Sequence, residues 1–188
     1  MDDILRIDNV LKWGRRTLTL IPGFSVIFTN LWLPKEISHS LVGGILEAVG
    51  IMTLIIFEIN KKKSRSNKTK SNKNKAIGFL AAFLLVLFGY IGMYDSQVIY
   101  SSKYEITILF PFWNNNELEF MIAKSQGTEN AITNYGPEAV RMAIQRDATK
   151  ISNTKIIFML TYLCIFEMLI IAFSYIGIDL EKSVKKSR

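Results

Sequence analysis

Three carboxylates stand inside strongly apolar stretches of this 188-residue chain: Glu47, Glu58 and Glu167. An acid placed in hydrocarbon costs on the order of 3 kcal/mol on insertion scales, so it must face protein, a water-filled cavity or a second copy of itself. Glu167 is the sharpest case. It is the twelfth of 23 residues in the apolar window 156–178, and no Lys or Arg lies in any such window to neutralise it. Two readings stay open. In one, copies of Glu167 form a ring in an oligomer that lines a cation path or acts as a protonation switch. In the other, its carboxyl is hydrogen-bonded to Ser25, Thr29 or Asn30 of the first apolar window and holds the helices together. Tyr162, Ser174 and Tyr175 are further candidate partners on its own helix. Glu47 also lies deep, and with Glu167 and Asn30 it completes the set of intramembrane polar candidates. Glu58 is eleven residues further on, about 1100° at about 100° per residue, so it shares a helix face with Glu47. It stands beside Lys61, Lys62 and Lys63 and can snorkel to the surface.

Other chemistry finds little material. His39 is the single histidine, in Glu36-Ile37-Ser38-His39-Ser40, with no nucleophile elbow nearby. Cys164 is the single cysteine, which excludes an intrachain disulfide, and one Cys with one His cannot build a zinc site of the usual kind. Gly43-Gly44 lacks the Lys-Ser/Thr that a phosphate loop requires. The expectation is a non-enzymatic protein with no cofactor and no metal.

The elements that must carry these residues follow from how charge is segregated. Residues 76–94 contain no Asp, Glu, Lys or Arg, and nineteen residues of helix span nearly all of a hydrocarbon core of ~30 Å. Windows 17–33, 41–59 and 156–178 are similarly apolar, so four membrane spans are expected. The first is short and is interrupted by Pro22-Gly23; a signal peptide competes with it, but Asp2, Asp3 and Asp8 suit a signal poorly and no cleavage site follows. Residues 1–16 read as a short amphipathic helix on the inner leaflet, with Ile4, Ile7 and Leu11 on one stripe and Trp13 at the interface.

Basic residues set the orientation. Connector 60–75 holds Lys61, Lys62, Lys63, Arg65, Lys68, Lys70, Lys73 and Lys75 and no acid, which places it in the cytoplasm. Arg15-Arg16 and the basic tail 179–188 agree, putting both termini inside. The connector is rich in Ser and Asn and is expected to be flexible. It could meet anionic lipid, at ~1 kcal/mol for each basic residue near the surface, or an acidic cytosolic partner. With no aromatic residue among its lysines it is a poor base-stacking surface, and no sequence-specific nucleic-acid binding is expected.

Segment 95–155 then lies outside, in the periplasm, and is too long for a bare loop. Tyr104, Ile106, Ile108 and Phe110 alternate with more polar residues, and after the turn-forming residues 111–116 so do Leu118, Phe120 and Ile122; a β-hairpin is expected between the two runs. Gly136-Pro137 opens a helix with Val140, Ile144, Ala148 and Ile151 on its apolar face. Ser152-Asn153-Thr154 either breaks that helix or lies within a continuous one. Phe112 and Trp113 at the turn read as outer-headgroup anchors or as a contact surface for something arriving from outside. The fold class is thus an α-helical membrane bundle of four spans with a small α+β outer segment.

Gly44-xxx-Ala48 and Gly78-xxx-Ala82 allow close helix packing, and a homo-oligomer embedded in lipid is expected. Scarce Gly and Pro and the lack of an inverted repeat speak against a transporter. A membrane sensor, a small channel or pore-forming effector using Glu167, and an immunity protein against a pore-forming toxin remain. In layout the chain resembles the KwaA family, the membrane subunits of the Kiwa anti-phage defence system: four spans, both ends inside, a basic second connector and a folded segment before the last span. That resemblance implies an oligomeric inner-membrane protein that senses envelope perturbation and works with a cytosolic DNA-binding partner of the KwaB kind.

Overall fold

A computed structural model of the chain describes residues 33–63 and 69–186. It is mostly helical: α1 His39–Lys63, α2 Thr69–Gln97, β1 Val98–Ser101, β2 Ile106–Leu109, α3 Asn116–Ser125, α4 Thr128–Tyr135, α5 Pro137–Gln145 and α6 Ala148–Lys186. The described residues form two compact units. One holds Leu33 with residues 38–63, 69–86 and 163–186; the other holds Pro34–Ile37 and Leu87–Tyr162.

Apolar helix runs through both units. Among the described residues two helices are long and apolar enough to cross a membrane, Asn74–Gln97 within α2 and Ala148–Ile176 within α6. Little of either is covered by protein, and side chains such as Leu85 and Phe88 are 74% and 68% exposed. In water that surface would be costly, whereas in hydrocarbon it is the matched surface. Expected span 41–59 lies in α1, with His39–Thr53 as its apolar stretch. Expected span 17–33, except for Leu33, and the amphipathic helix 1–16 lie outside the described residues.

Where the basic connector is described it is helix rather than flexible loop, because α1 runs to Lys63 and α2 starts at Thr69. Lys and Arg are good helix formers, and extending an existing helix avoids the cost of nucleating a new one. Along α1, Val42, Leu46 and Gly50 are buried and Thr53 half-buried, a stripe at spacings of four, four and three. The close approach is at Gly50, where an added Cβ would come within 3.0 Å of Ile170 Cδ1. Gly44 and Gly78 have nothing within 4 Å of such a Cβ, so among the described residues neither small-residue motif makes the helix contact expected of it.

The second unit departs from the expected hairpin. β2 does fall in the alternating run, but its partner precedes it: Val98 pairs with Leu109, Ile99 with Ile108, Tyr100 with Thr107 and Ser101 with Ile106, antiparallel. Residues 116–125, expected as the second strand, are helix. Asn115 explains this, since its side chain caps α3 by accepting from Leu118 N at 2.8 Å, and Glu117 and Glu119 favour the positive first turn. Leu118, Met121 and Ile122 fit helical spacing as well as Leu118, Phe120 and Ile122 fit a strand. Phe120 in fact points outward and is exposed.

Pro137 opens α5 as expected, after Gly136 at φ 83°, a conformation that side chains other than glycine rarely adopt. The core gathers Ile108, Phe110, Leu118, Ile132, Val140, Ala143 and Ile144, with Ile151 packed against it. Ala148 is exposed instead of joining this face, because α5 ends at Gln145 and Asp147 starts a new helix by accepting from Lys150 N at 3.3 Å. From there α6 continues straight through Ser152-Asn153-Thr154.

Candidate functional site

Glu167 lies on the half-buried side of α6, three residues before Ile170, on the same face. Thr53 of α1 donates its hydroxyl to Glu167 Oε2 at 2.8 Å. Gly50, one turn before Thr53, brings the two helices close enough for that bond. The result is a polar clasp inside an apolar helix pair: a carboxylate, one neutral donor, and no Lys or Arg in the surrounding apolar windows. It can hold two helices in register, and it can present an acid to a cation or a proton.

Thr53 was not among the partners expected from the sequence. Ser25, Thr29 and Asn30 lie outside the described residues. Ser174 donates instead to Ile170 O of its own helix at 2.7 Å, and the Tyr175 ring stacks on Phe79 with centroids 6.0 Å apart. Tyr162 belongs to the aromatic cluster of the second unit. The signal that would have found Thr53 is its one-turn spacing from Gly50, a small residue and a hydroxyl on one face.

Glu47 is half-buried and Cys164 exposed. His39 Nε2 sits 3.3 Å from Leu33 O, a contact at the start of α1. The side chains of Glu58, Lys61, Lys62, Lys63, Arg65, Lys68, Lys70 and Lys73 lie outside the described residues. Lys75 is exposed, with its ammonium 5.7 Å from the centre of the Tyr175 ring, a cation–π contact. Among the described residues no three His, Cys, Asp or Glu side chains are grouped to hold a metal ion.

In the second unit the aromatic pair at the turn divides. Phe112 is half-buried and stacks on Phe158 at 5.8 Å with planes 12° apart, while its N–H donates to Thr154 Oγ1 at 3.0 Å. Phe158 meets Tyr90 edge-on at 5.7 Å, and Tyr90 contacts Tyr162 at 5.9 Å. Such ring pairs contribute about 0.5–1.5 kcal/mol each beyond burial. Trp113 is 56% exposed and touches Phe112 edge-on. Phe112 therefore fastens the turn to α6, and Trp113 is the ring left on the surface.

Asn115, Asn116, Glu117, Arg146, Asp147 and Lys150 line a shallow polar depression. Arg146 pairs with Glu117 at 2.7 Å and Lys150 with Asp147 at 3.4 Å, so its positive charge is already matched. Comparison with protein-family models, curated proteins and solved structures finds no match to this chain.

Proposed function

We propose that this chain is a non-enzymatic protein of the bacterial inner membrane that senses events at the envelope and couples them to a cytosolic protein. One observation carries the reading: a folded unit with its own core includes one end of each of two membrane-length helices, α2 and α6, where Phe112, Phe158 and Tyr90 pack together. A passive anchor needs no such unit, and a core this small is too slight to stand alone. Windows 17–33 and 41–59 supply the remaining two spans of a four-span protein with both termini inside. The basic connector then faces the cytosol, where it meets anionic lipid or the partner. The expected layout resembles that of the KwaA family, and on that resemblance phage attack is the event, a DNA-binding protein the partner, and the membrane protein a homo-oligomer.

Two measurements test the reading. Host cells carrying the protein should plate phage less efficiently than cells without it, and Trp113→Ala should abolish that protection while the protein still inserts. Gentle-detergent purification at low salt should retain a cytosolic protein, which should be lost when the eight basic residues of connector 60–75 are changed to Gln. Plating that is unaffected by the protein would defeat the defence role, and a bare oligomer would defeat the coupling.

The clasp between Thr53 and Glu167 favours a second reading, an ion path through an oligomer that uses Glu167. Purified protein in liposomes distinguishes the two. A leak that changes with Glu167→Gln supports the channel, and tight vesicles support the sensor.

A further inference from the structure

The chain passes between its two units at Leu33/Pro34, Ile37/Ser38, Val86/Leu87 and Tyr162/Leu163. The last two passages lie inside continuous helices, α2 and α6. The first two bracket a four-residue turn. That turn is docked on the outer unit, with Pro34 and Ile37 buried and Ile37 N donating to Pro34 O at 2.9 Å.

Its main polar contact is with a strand edge. Phe110 N donates across to Gln97 O, so by the alternation of an antiparallel ladder the N–H of Leu109 points the other way, along the open edge of β2. There it meets Glu36 Oε1 at 3.2 Å. A carboxylate from the turn thus stands where the carbonyl of a third strand would stand, and the turn covers an edge that would otherwise be exposed. One residue later α1 begins: Ser38 O accepts from Val42 N at 3.1 Å, the first bond of that helix. The turn is therefore fastened to the hairpin on one side and continuous with α1 on the other.

We propose that Pro34–Ile37 is a strap by which the outer unit restrains the start of α1, so that release of Glu36 from the β2 edge loosens α1 first. The inference deepens the sensor reading and rests on it for its biological sense: the hairpin is the part that feels the event, and α1 is the part that moves. α2 and α6 continue as unbroken helix, whereas the turn that leads into α1 has Glu36 as its side-chain bond to the β2 edge, beside the buried Pro34 and Ile37.

Hydrogen exchange on the full chain in detergent micelles tests this directly. In Glu36→Ala the Leu109 amide should exchange about fivefold faster, as expected for loss of a bond contributing about 1 kcal/mol. Amides of residues 42–46 should accelerate with it, while Leu118, Val140 and Ile144 in the outer core keep their wild-type rates. Glu36→Gln keeps an acceptor oxygen and should restore most of both effects. Glu36→Lys sets a donor against a donor at an exposed position and should reproduce the alanine pattern. Unchanged rates at 42–46 beside a faster Leu109, or an unchanged Leu109, would overturn the strap. Loosening throughout the outer unit in both Ala and Lys variants would overturn it too, since the contact would then hold that unit rather than α1. The exchange pattern does not depend on any phage. Should it appear as expected while Glu36→Ala cells keep full protection, the sensor reading falls and the strap stands.

Discussion

Thr53 decides how much the carboxylate of Glu167 costs. With its hydroxyl in place, one oxygen of the acid is satisfied inside the helix pair. Thr53→Val keeps the shape and removes the donor, and should lower stability by about 1 kcal/mol, within the range found for hydrogen bonds between membrane helices. Thr53→Ser should be close to wild type; thermal unfolding in detergent checks both. The acid itself is legible in the sequence as an unpaired charge at the centre of an apolar window. Its partner is not legible, because spacing along α1 shows only that Gly50 and Thr53 share a face, while tertiary packing alone decides which helix meets that face. A different residue effect lies at Gln126, which ends α3 at φ 59°. L-residues other than Asn and Asp pay roughly 1–2 kcal/mol in that conformation, so Gln126→Gly should raise the unfolding temperature.

At the scale of elements, the informative case is residues 116–125. Alternation in Leu118, Phe120 and Ile122 is compatible with a strand, but a capping Asn followed by two acids is a helix start, and local capping prevails where periodicity is ambiguous. Asn115 does more than cap, since its Nδ2 also donates to Ala143 O at 2.6 Å and ties α3 to α5. Asn115→Ala should therefore cost about 1–2 kcal/mol, toward the upper end for a cap, and should broaden the amide signals of both helices. β1 was hidden for another reason. Val98–Ser101 is only four residues long and follows an apolar helix directly, so no turn signal sets it apart. The opening of α5 at Gly136-Pro137 was legible because Pro fits the first helical turn and glycine the turn before it. The aromatic joint yields a matched pair of predictions. Phe112→Ala removes a half-buried ring and should destabilise by about 3 kcal/mol, the lower end for Phe→Ala. Trp113→Ala, at an exposed position, should stay within roughly 0.5 kcal/mol of wild type, so that any loss of function it causes is a loss of contact rather than of fold.

At the scale of the whole molecule, two helices long and apolar enough to cross a membrane, and a folded segment between them, were plain from charge and hydropathy. The arrangement of that segment was not plain, because its core joins residues far apart in sequence, such as Ile108, Leu118 and Val140. Thiol labelling tests the orientation. On a Cys164→Ser background, Glu105→Cys should react with a membrane-impermeant thiol reagent in intact cells, and Lys70→Cys only after permeabilisation. Equal labelling of both would contradict the four-span topology.

The length of α6 adds a mechanical consequence. Its 39 residues make a beam of about 58 Å at about 1.5 Å per residue, nearly twice the ~30 Å of hydrocarbon it would cross. Thr154 and Phe158 near one end are bolted to the turn at Phe112. The excess length is about 28 Å, roughly nineteen residues, which would stand beyond the hydrocarbon as a post, and the end held at Phe112 would belong to it.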